Sequence, residues 1–516
     1  MAATEPIALV GFMAAGKSHA ARAIASALDE PVRDTDAMIS DRLGEPLEDF
    51  FEREGEARFR EIEEVAVLDA LDAGGVVALG GGAVGSERVR VALREATTVW
   101  CRVSEGVAWE RCKGSSRPLA SDRGRFAALY EERQPLYQGV ARVVLPRGGY
   151  DTPEKAARWI ATLRGRPALR MTWARAGEAE YPVVVGAQAG QLLNATGAPQ
   201  IGRRTFAVVD PRAVASGAVV PAGCEAPIEA SGGERAKTLA EAERLLIELA
   251  HRGARRDDAL LALGGGVVGD LAGFCAAVYQ RGIPVIQMPT TLVAQVDSSL
   301  GGKTGVDLVE GKNYVGAYHQ PAAVFADPKA LAGLPEEELA AGMAEVVKTA
   351  LIAGGDLWER VRALDREALS APARLGSVIL ECAETKLTVV AEDERDGGRR
   401  AVLNLGHTIG HAIETATGYQ RYRHGEAVAL GLLAALRLSG VAELREEVAS
   451  LLASFGLPTT LDPTVEADQI VAATAADKKF TAAGLRIVLV REPGDVEHGF
   501  PVGEAELLSA VEDLLA

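Results

Sequence analysis

Residues 11–18 read Gly11-Phe12-Met13-Ala14-Ala15-Gly16-Lys17-Ser18, a G-x-x-x-x-G-K-[ST] run between a strand-like segment at 7–10 and a helical run at 20–28. Such a loop curls its backbone N–H groups around a phosphate, and the helix that follows adds partial positive charge. Lys17 would reach the β/γ oxygens of a nucleoside triphosphate and Ser18 a Mg2+ ion. Far along the chain, three of the seven histidines, His407, His411 and His424, fall within eighteen residues. On a helix, His407 and His411 share a face with Glu414. The residue after His407 is Thr408, which disfavours a zincin protease, but histidine and carboxylate donors with a place left for substrate suit a catalytic Zn2+. A further glycine run, Gly264-Gly265-Gly266-Val267-Val268-Gly269-Asp270, follows a strand-like segment at 259–263. The acidic residue expected about 20 positions onward in an ordinary dinucleotide fold is missing, so the loop implies only that pyrophosphate can approach bare backbone.

These residues need elements to hold them. From residue 6 to about 163, apolar strand-like runs alternate with helical segments, the pattern of a parallel sheet covered by helices. Turn formers without a steady period follow, and the spacing predicts a domain at 1–168 and a linker at 169–180. Alternation resumes over 181–328, with strands at 206–209, 259–263 and 285–288, and helical periodicity dominates from 329. The fold class expected is α/β, with an α/β nucleotide-binding domain at 181–328 and a mostly helical domain at 329–516.

Composition agrees with several such domains. The 516 residues, 48% hydrophobic and 25% charged, exceed what one core holds. No apolar run reaches the ~18 residues of a membrane helix, and no secretory signal is legible, so a cytoplasmic protein without membrane contact is expected. Five scattered cysteines without a C-x-x-C pair predict buried free thiols. A net charge of -17 argues against nucleic-acid binding and requires that any anion pocket gather its cations locally.

The first domain resembles shikimate kinase. Beyond the phosphate loop, the likeness rests on Asp34-Thr35-Asp36, on Gly55-Glu56-Ala57-Arg58-Phe59-Arg60 with Glu63, on Leu79-Gly80-Gly81-Gly82-Ala83, on Arg117-Pro118-Leu119, and on Arg133-Gln134-Pro135-Leu136-Tyr137. It implies ATP binding by Gly11, Ala14, Ala15, Gly16, Lys17, Ser18 and a lid residue, Arg117, with Mg2+ held by Ser18 and Asp34. It also implies that Asp36 grips the ring hydroxyls of shikimate, that Arg60 and Arg133 clamp its carboxylate, and that Gly80, Gly81 and Gly82 let it lie against backbone. Arg58 reads as a surface residue, and 111–116 departs from the family's lid pattern.

Residues 180–516 resemble 3-dehydroquinate synthase over essentially their whole length, through motifs such as Gly233-Glu234-Arg235-Ala236-Lys237, Gly342-Met343-Ala344-Glu345 with Lys348, and Leu403-Asn404-Leu405-Gly406-His407. The resemblance implies Zn2+ (or Co2+) on Glu345, His407 and His424, with His411 beside the substrate. It implies NAD+ against Asp210, Glu234, Lys237, Gly265, Gly266, Asp270, Thr290 and Thr291, with Lys303 and Lys312 where cofactor and substrate meet. Lys348, Lys386, Arg400 and Asn404 would line the substrate pocket with Asp297, Arg281, Asn313 and one of Lys478 and Lys479. Their cations match a substrate, 3-deoxy-arabino-heptulosonate 7-phosphate, that carries a carboxylate and a phosphate, and relatives of this kind suggest a homodimer. Asp396 stands where the family commonly has Glu, and the spacing from His407 to His424 is one residue longer than is common, which a loop at 419–423 could absorb. The competing readings of this half are another sugar-phosphate cyclase and an NAD- and metal-dependent polyol dehydrogenase; from a different class, one half could be an inactive scaffold. The two reactions are not consecutive, so the fusion points to production at fixed stoichiometry.

Overall fold

The computed structural model describes residues 4–114, 122–146, 151–230, 233–475 and 485–515. The chain divides into two units, Met1–Ala174 with Glu180–Val184 and Gln191–Gln200, and Arg175–Ala179 with Val185–Gly190 and Ile201–Ala516.

In the first unit, β1 (Ile7–Val10) leads to α1 (Lys17–Leu28), β2 (Val32–Asp34), α2 (Thr35–Leu43), α3 (Leu47–Asp72) and β3 (Val76–Ala78). Next come α4 (Glu87–Ala92), β4 (Thr97–Cys101), α5 (Glu105–Cys112), α6 (Arg123–Val140), β5 (Val143–Leu145) and α7 (Thr152–Thr162). The strands pair in parallel in the order β2-β3-β1-β4-β5. Ile7 to Val10 are all buried, as expected of a strand covered on both faces. Because the chain leaves β1 for β2 and β3 on one side and then crosses to β4 on the other, the phosphate loop after β1 opens at a switch of direction, where such sheets hold ligands. α3 is bent at Gly55, whose φ of 83° no helix adopts.

The stretch 169–180, expected as a linker, carries regular structure, and the division between the two units falls within it. It holds β6 (Arg170–Ala176) and the first two residues of β7 (Ala179–Val185), and β6 pairs in parallel with β5. Arg170 and Arg175 are only half-buried among Met171, Thr172, Trp173 and Ala174, which are buried, so the charged residues disguised a strand.

In the second unit, a parallel sheet runs β14-β11-β10-β8-β9. Its strands are β8 (Thr205–Val209), β9 (Ile228–Glu229), β10 (Ala259–Gly264), β11 (Val285–Pro289) and β14 (Ala323–Ala326), with helices α8 (Pro211–Ala215), α9 (Leu239–His251) and α10 (Gly266–Val278) between them. The chain goes from β8 out to β9 and returns on the other side to β10, so the crevice between the ends of β8 and β10 is again a switch point. An antiparallel hairpin, β12 (Lys303–Leu308) and β13 (Gly311–Tyr318), stands apart from this sheet. The rest is helical: α11 (Glu336–Ala353), α12 (Gly355–Arg362), α13 (Arg366–Ser370), α14 (Gly376–Glu392), α15 (His407–Ala416), α16 (His424–Leu438), α17 (Ala442–Ser454) and α18 (Ala467–Ala475). A hairpin, β15 (Leu485–Glu492) and β16 (Asp495–Val502), and α19 (Glu504–Glu512) complete it. Leu339, Met343, Val347, Ile409, Ile413, Val428 and Leu432 of α11, α15 and α16 share one core. Among the described residues no helix is long and apolar enough to cross a membrane.

Candidate active sites

In the first unit, Gly16 takes a left-handed φ of 87° to start α1, which brings Lys17 back over the loop, where its Nζ donates to the carbonyls of Gly11 at 2.9 Å and Phe12 at 3.1 Å. Asp34, at the carboxyl end of β2, caps α2 by accepting from the Asp36 N–H. The Gly80 N–H donates to Thr35 Oγ1 at 3.0 Å, so the start of α2 is tied to the segment Gly80-Gly81-Gly82. A Cβ on Gly80 would overlap the Glu63 carboxylate and come within 2.8 Å of Asp36 Oδ1, and one on Gly82 would overlap the Arg60 guanidinium. Arg133 Nη1 at 3.3 Å and the Tyr137 hydroxyl at 2.5 Å both donate to the Gly81 carbonyl. Asp36, Arg60 and Arg133 therefore meet around three bare residues, and a Cβ on Gly81 would lie 3.3 Å from the Met13 N of the phosphate loop.

Arg60 is aimed by two carboxylates, Glu63 at 2.6 Å and Glu56 at 3.0 Å. Burial pushes the Glu63 carboxyl up even against Arg60, while Arg60, though burial opposes it, is held more firmly charged by Glu63. Glu63 and Tyr137 belong to the sequence motifs without an expected role; their spacing, three residues after Arg60 and four after Arg133 on helices, is the available signal. Arg58 does lie on the exposed face, paired with Glu61. Arg117 lies outside the described residues. Within the departing 111–116 segment, Arg111 Nη1 donates to the Ala14 carbonyl at 3.0 Å, so this segment touches the phosphate loop.

In the second unit, three helices converge. A Cβ on Gly425 would overlap the Ala341 carbonyl of α11, and one on Gly431 would overlap the Gly406 carbonyl, so missing side chains let α16 touch both α11 and the start of α15. That approach carries Glu345, His407 and His424 to one point. His407 Nε2 and His424 Nε2 each lie 3.3 Å from Glu345 Oε1. The donor nitrogens of His407, His411 and His424 lie within 4.8 Å of one another. His407 Nδ1 faces the Leu405 carbonyl at 3.2 Å; a carbonyl only accepts, so the proton sits on Nδ1 and Nε2 offers its lone pair. Both Glu345 oxygens are buried, and among the described residues neither makes a hydrogen bond of good geometry, although Lys348 stands beside Oε2 as an ion-pair partner. A buried carboxylate oxygen that faces two imidazole nitrogens is a donor set that fits a divalent cation.

The charges around that point are interlocked. Lys348 Nζ lies 2.5 Å from Glu345 Oε2. Burial would raise the Glu345 carboxyl, but Lys348 and His407 hold it well below the usual carboxylate range. Burial and Lys348 lower His407, keeping it neutral, whereas Glu345 and Glu414 outweigh burial to push His424 up to about 10. Lys386 Nζ donates to the Asp297 carbonyl at 2.5 Å and lies 2.7 Å from its Oδ1. Burial depresses Lys386, with Lys348 and Arg400 adding to it, while Lys348 and Lys386 overcome burial to bring Asp297 down to about 2. Arg400, itself buried, donates to the carbonyls of Glu394 and Gly301. Asn404 ends the short helical turn Arg399–Asn404, half-buried, just before α15.

At the switch point, Asp210 closes β8 and caps α8, Thr290 N donates to the Gly264 carbonyl at 2.9 Å, and a Cβ on Gly265 would meet Thr291 at 3.0 Å. Lys237 Nζ bridges Asp270 at 2.6 Å and Asn313 at 2.5 Å. Gly266 starts α10 beside Ser298, whose buried hydroxyl has no hydrogen-bond partner among the described residues. On the hairpin, Lys312 lies 3.8 Å from Glu234 and 3.2 Å from Glu414, and Lys303 lies 2.5 Å from Asp396. The shorter carboxylate at 396 thus still reaches its lysine. Arg281 is not gathered with the others: it is exposed, in a left-handed φ of 69°, and forms no ion pair among the described residues. Lys478 and Lys479 lie outside the described residues.

Comparison with known proteins follows these two groups of residues. The family model for shikimate kinase matches residues 13–164, and those for the N-terminal and C-terminal parts of 3-dehydroquinate synthase match 227–341 and 342–480. A 3-dehydroquinate synthase of Halorhodospira halophila is 43% identical over 339 residues, 63% of this chain and 94% of that protein. One from Symbiobacterium thermophilum is 44% identical over 338 residues, 62% of this chain and 94% of the relative. Among solved structures, a 2-deoxy-scyllo-inosose synthase complexed with carbaglucose-6-phosphate, NAD+ and Co2+ superimposes with a TM-score of 0.59 at 26% identity, covering 67% of this chain and 100% of that one. A 2-epi-5-epi-valiolone synthase from Streptomyces hygroscopicus with NAD+ and Zn2+ bound gives a TM-score of 0.59 at 26% identity, covering 66% and 98%.

Proposed function

Since the chain belongs to the 3-dehydroquinate synthase family and carries a shikimate kinase domain ahead of that part, making it a bifunctional enzyme of the shikimate pathway, we propose that its two groups of residues are the two active sites. The observation that carries this reading is the meeting of Glu345, His407 and His424 at one point, with an equally local meeting of Asp36, Arg60 and Arg133 in the other unit.

In the kinase site, the N–H groups of the loop over Gly11, Ala14, Ala15 and Gly16, with Lys17, hold the β- and γ-phosphates of ATP, and Ser18 and Asp34 hold Mg2+ and its water shell. Arg60 and Arg133 take the shikimate carboxylate, Arg60 being kept in aim by Glu63. Asp36 accepts the proton of the attacking hydroxyl. Its oxygen bonds to the γ-phosphorus as the bond to the β-phosphate oxygen breaks, giving shikimate 3-phosphate and ADP.

In the synthase site, Glu345, His407 and His424 hold Zn2+ or Co2+, and Asp210, Glu234, Lys237, Gly265, Gly266, Asp270, Thr290 and Thr291 hold NAD+. When bound, NAD+ takes up and returns a hydride and the metal lowers the pKa of adjacent substrate hydroxyls. Lys348, Lys386 and Arg400 hold the anionic ends of 3-deoxy-arabino-heptulosonate 7-phosphate, with Lys303, Lys312, Asn313 and Asn404 orienting it. The Asp297 carboxylate, 2.7 Å from Lys386 Nζ, supplies a counter-charge beside these cations. His411 stands beside the ligand nitrogens to move a proton. Phosphate leaves by elimination, and ring opening with an intramolecular aldol step closes the carbocycle of 3-dehydroquinate, with no net change in NAD+.

Purified protein should release phosphate from the heptulosonate phosphate with catalytic NAD+, and separately phosphorylate shikimate with ATP. Lys17→Ala abolishes only the second activity and His407→Ala only the first; loss of both from either change would contradict independent sites. We also propose a cytoplasmic homodimer formed through the synthase half. A monomer mass by light scattering, or the protein in the membrane fraction, would rule that out.

A further inference from the structure

The metal-binding group has an anchor that its ligand set does not explain. An imidazole that gives one nitrogen to a metal is aimed by whatever the other nitrogen holds. The two candidate ligand rings differ in this. His407 Nδ1 rests on a backbone carbonyl, that of Leu405, within its own segment. His424 Nδ1 instead lies 3.4 Å from Glu414 Oε2, a carboxylate 3% exposed, while His424 Nε2 faces Glu345.

Glu414 has a second partner outside the helical part. Its Oε1 lies 3.2 Å from Lys312 Nζ, on β13 of the hairpin, and the same Nζ sits 4.6 Å over the ring of Tyr419. The residue next to Lys312 is Asn313, whose side-chain oxygen accepts from Lys237, and Lys237 is paired with Asp270 on α10 at the nucleotide crevice. A continuous row of charged contacts therefore runs from Glu345 through His424, Glu414 and Lys312 to the hairpin that borders the crevice. Within the row, Glu414 is the member that touches both a candidate metal ligand and the hairpin.

We propose that Glu414 is a positioning residue that aims His424 at the metal and links metal retention to occupancy of the nucleotide crevice through Lys312. This rests on the metal reading given above. A ligand that orders the hairpin fixes Lys312 against one oxygen of Glu414, which fixes the other oxygen against His424. Linkage then requires the effect to be mutual: the dinucleotide slows metal loss, and metal tightens dinucleotide binding.

The test is Co2+ loss from full-length protein to a chelator, followed by the visible absorption of the bound ion, with and without saturating NAD+. In the native protein NAD+ slows the loss by about fivefold or more, a coupling in the ordinary range for linked sites. Glu414→Gln, which keeps shape but removes charge, weakens Co2+ binding by about tenfold or more, as loss of such an outer partner does elsewhere. It also abolishes the NAD+ effect and shifts the Co2+ spectrum. Native-like hydrogen exchange of the α15 and α16 amides reports that the synthase half of the variant is folded, and Glu414→Asp, carboxylate retained, restores part of the affinity. Co2+ affinity within about twofold of native in Glu414→Gln would overturn the positioning role, and an intact NAD+ effect in that variant would overturn the link. A native protein that binds no Co2+ would instead overturn the metal reading itself.

Discussion

Lys348 Nζ lies 2.5 Å from Glu345 Oε2, one turn apart on α11, with side-chain exposures of 1% and 0%. Two charges so fully withdrawn from water are tolerable only as a pair, and removing one partner of a buried pair costs about 3–5 kcal/mol. Here the surviving carboxylate has a second possible counter-charge, the metal. Lys348→Met is therefore expected to lower the local stability of α11 by about 3 kcal/mol with chelator present and by clearly less with saturating Zn2+. Hydrogen exchange of the α11 amides reads this directly; equal losses in the two conditions would show that Glu345 does not face the ion.

Gly82 leaves room for the Arg60 guanidinium. Gly82→Ala puts a methyl group where that guanidinium sits, and Arg60, being the end of a flexible side chain, moves aside. One charge-assisted hydrogen-bond set to the shikimate carboxylate is lost, about 1.5–3 kcal/mol, so KM for shikimate rises about tenfold or more. KM for ATP and the melting temperature should stay close to native. A change confined to ATP would place Arg60 outside the carboxylate pocket.

How legible this was in sequence depended on the distance over which each signal acts. The phosphate loop, β1 and α1 were readable because a contiguous pattern carries strand, turn and helix together, and His407 and His411 announced themselves by helical spacing. Glu345 lies far from them in sequence, and only the family resemblance joined it to the histidines; the glycines that let α16 reach α11 mean nothing until the helices are packed. β6 went unread because its buried face is interrupted by Arg170 and Arg175. Tyr137 was missed as a member of the site because its partner, the Gly81 carbonyl, is brought to it by tertiary structure; Glu63 was missed because a carboxylate three residues from an arginine on a helix reads as an ordinary solvated pair until its burial is known.

The cysteines offer a test of burial rather than of chemistry. Cys101 and Cys275 are buried and their thiols are pushed up to about 12, while Cys382 is raised still further by its burial. A thiol held neutral is a poor nucleophile. Of the five, Cys224 alone is partly exposed, so a thiol reagent at neutral pH should label about one site per native chain within minutes and five after denaturation. Rapid labelling of Cys382 would mean that α14 opens readily beside the Lys348–Glu345 pair.

Lys303 and Asp396 form a pair with side-chain exposures of 50% and 27%. Exposed pairs contribute about 0–1 kcal/mol, so Asp396→Asn should leave the melting temperature nearly unchanged. Its effect on binding can take either sign, and the sign identifies the role. If Asp396 merely competes with an anionic substrate for Lys303, the substitution lowers KM for the heptulosonate phosphate. If Asp396 holds Lys303 in aim, KM rises. Asp396 sits in a left-handed φ of 61°, in the loop that also supplies the Glu394 carbonyl to Arg400, so the carboxylate is placed by the same turn that places a second pocket cation. Aim is the role this geometry supports, and a rise in KM of about fivefold, equivalent to about 1 kcal/mol, is the expected result.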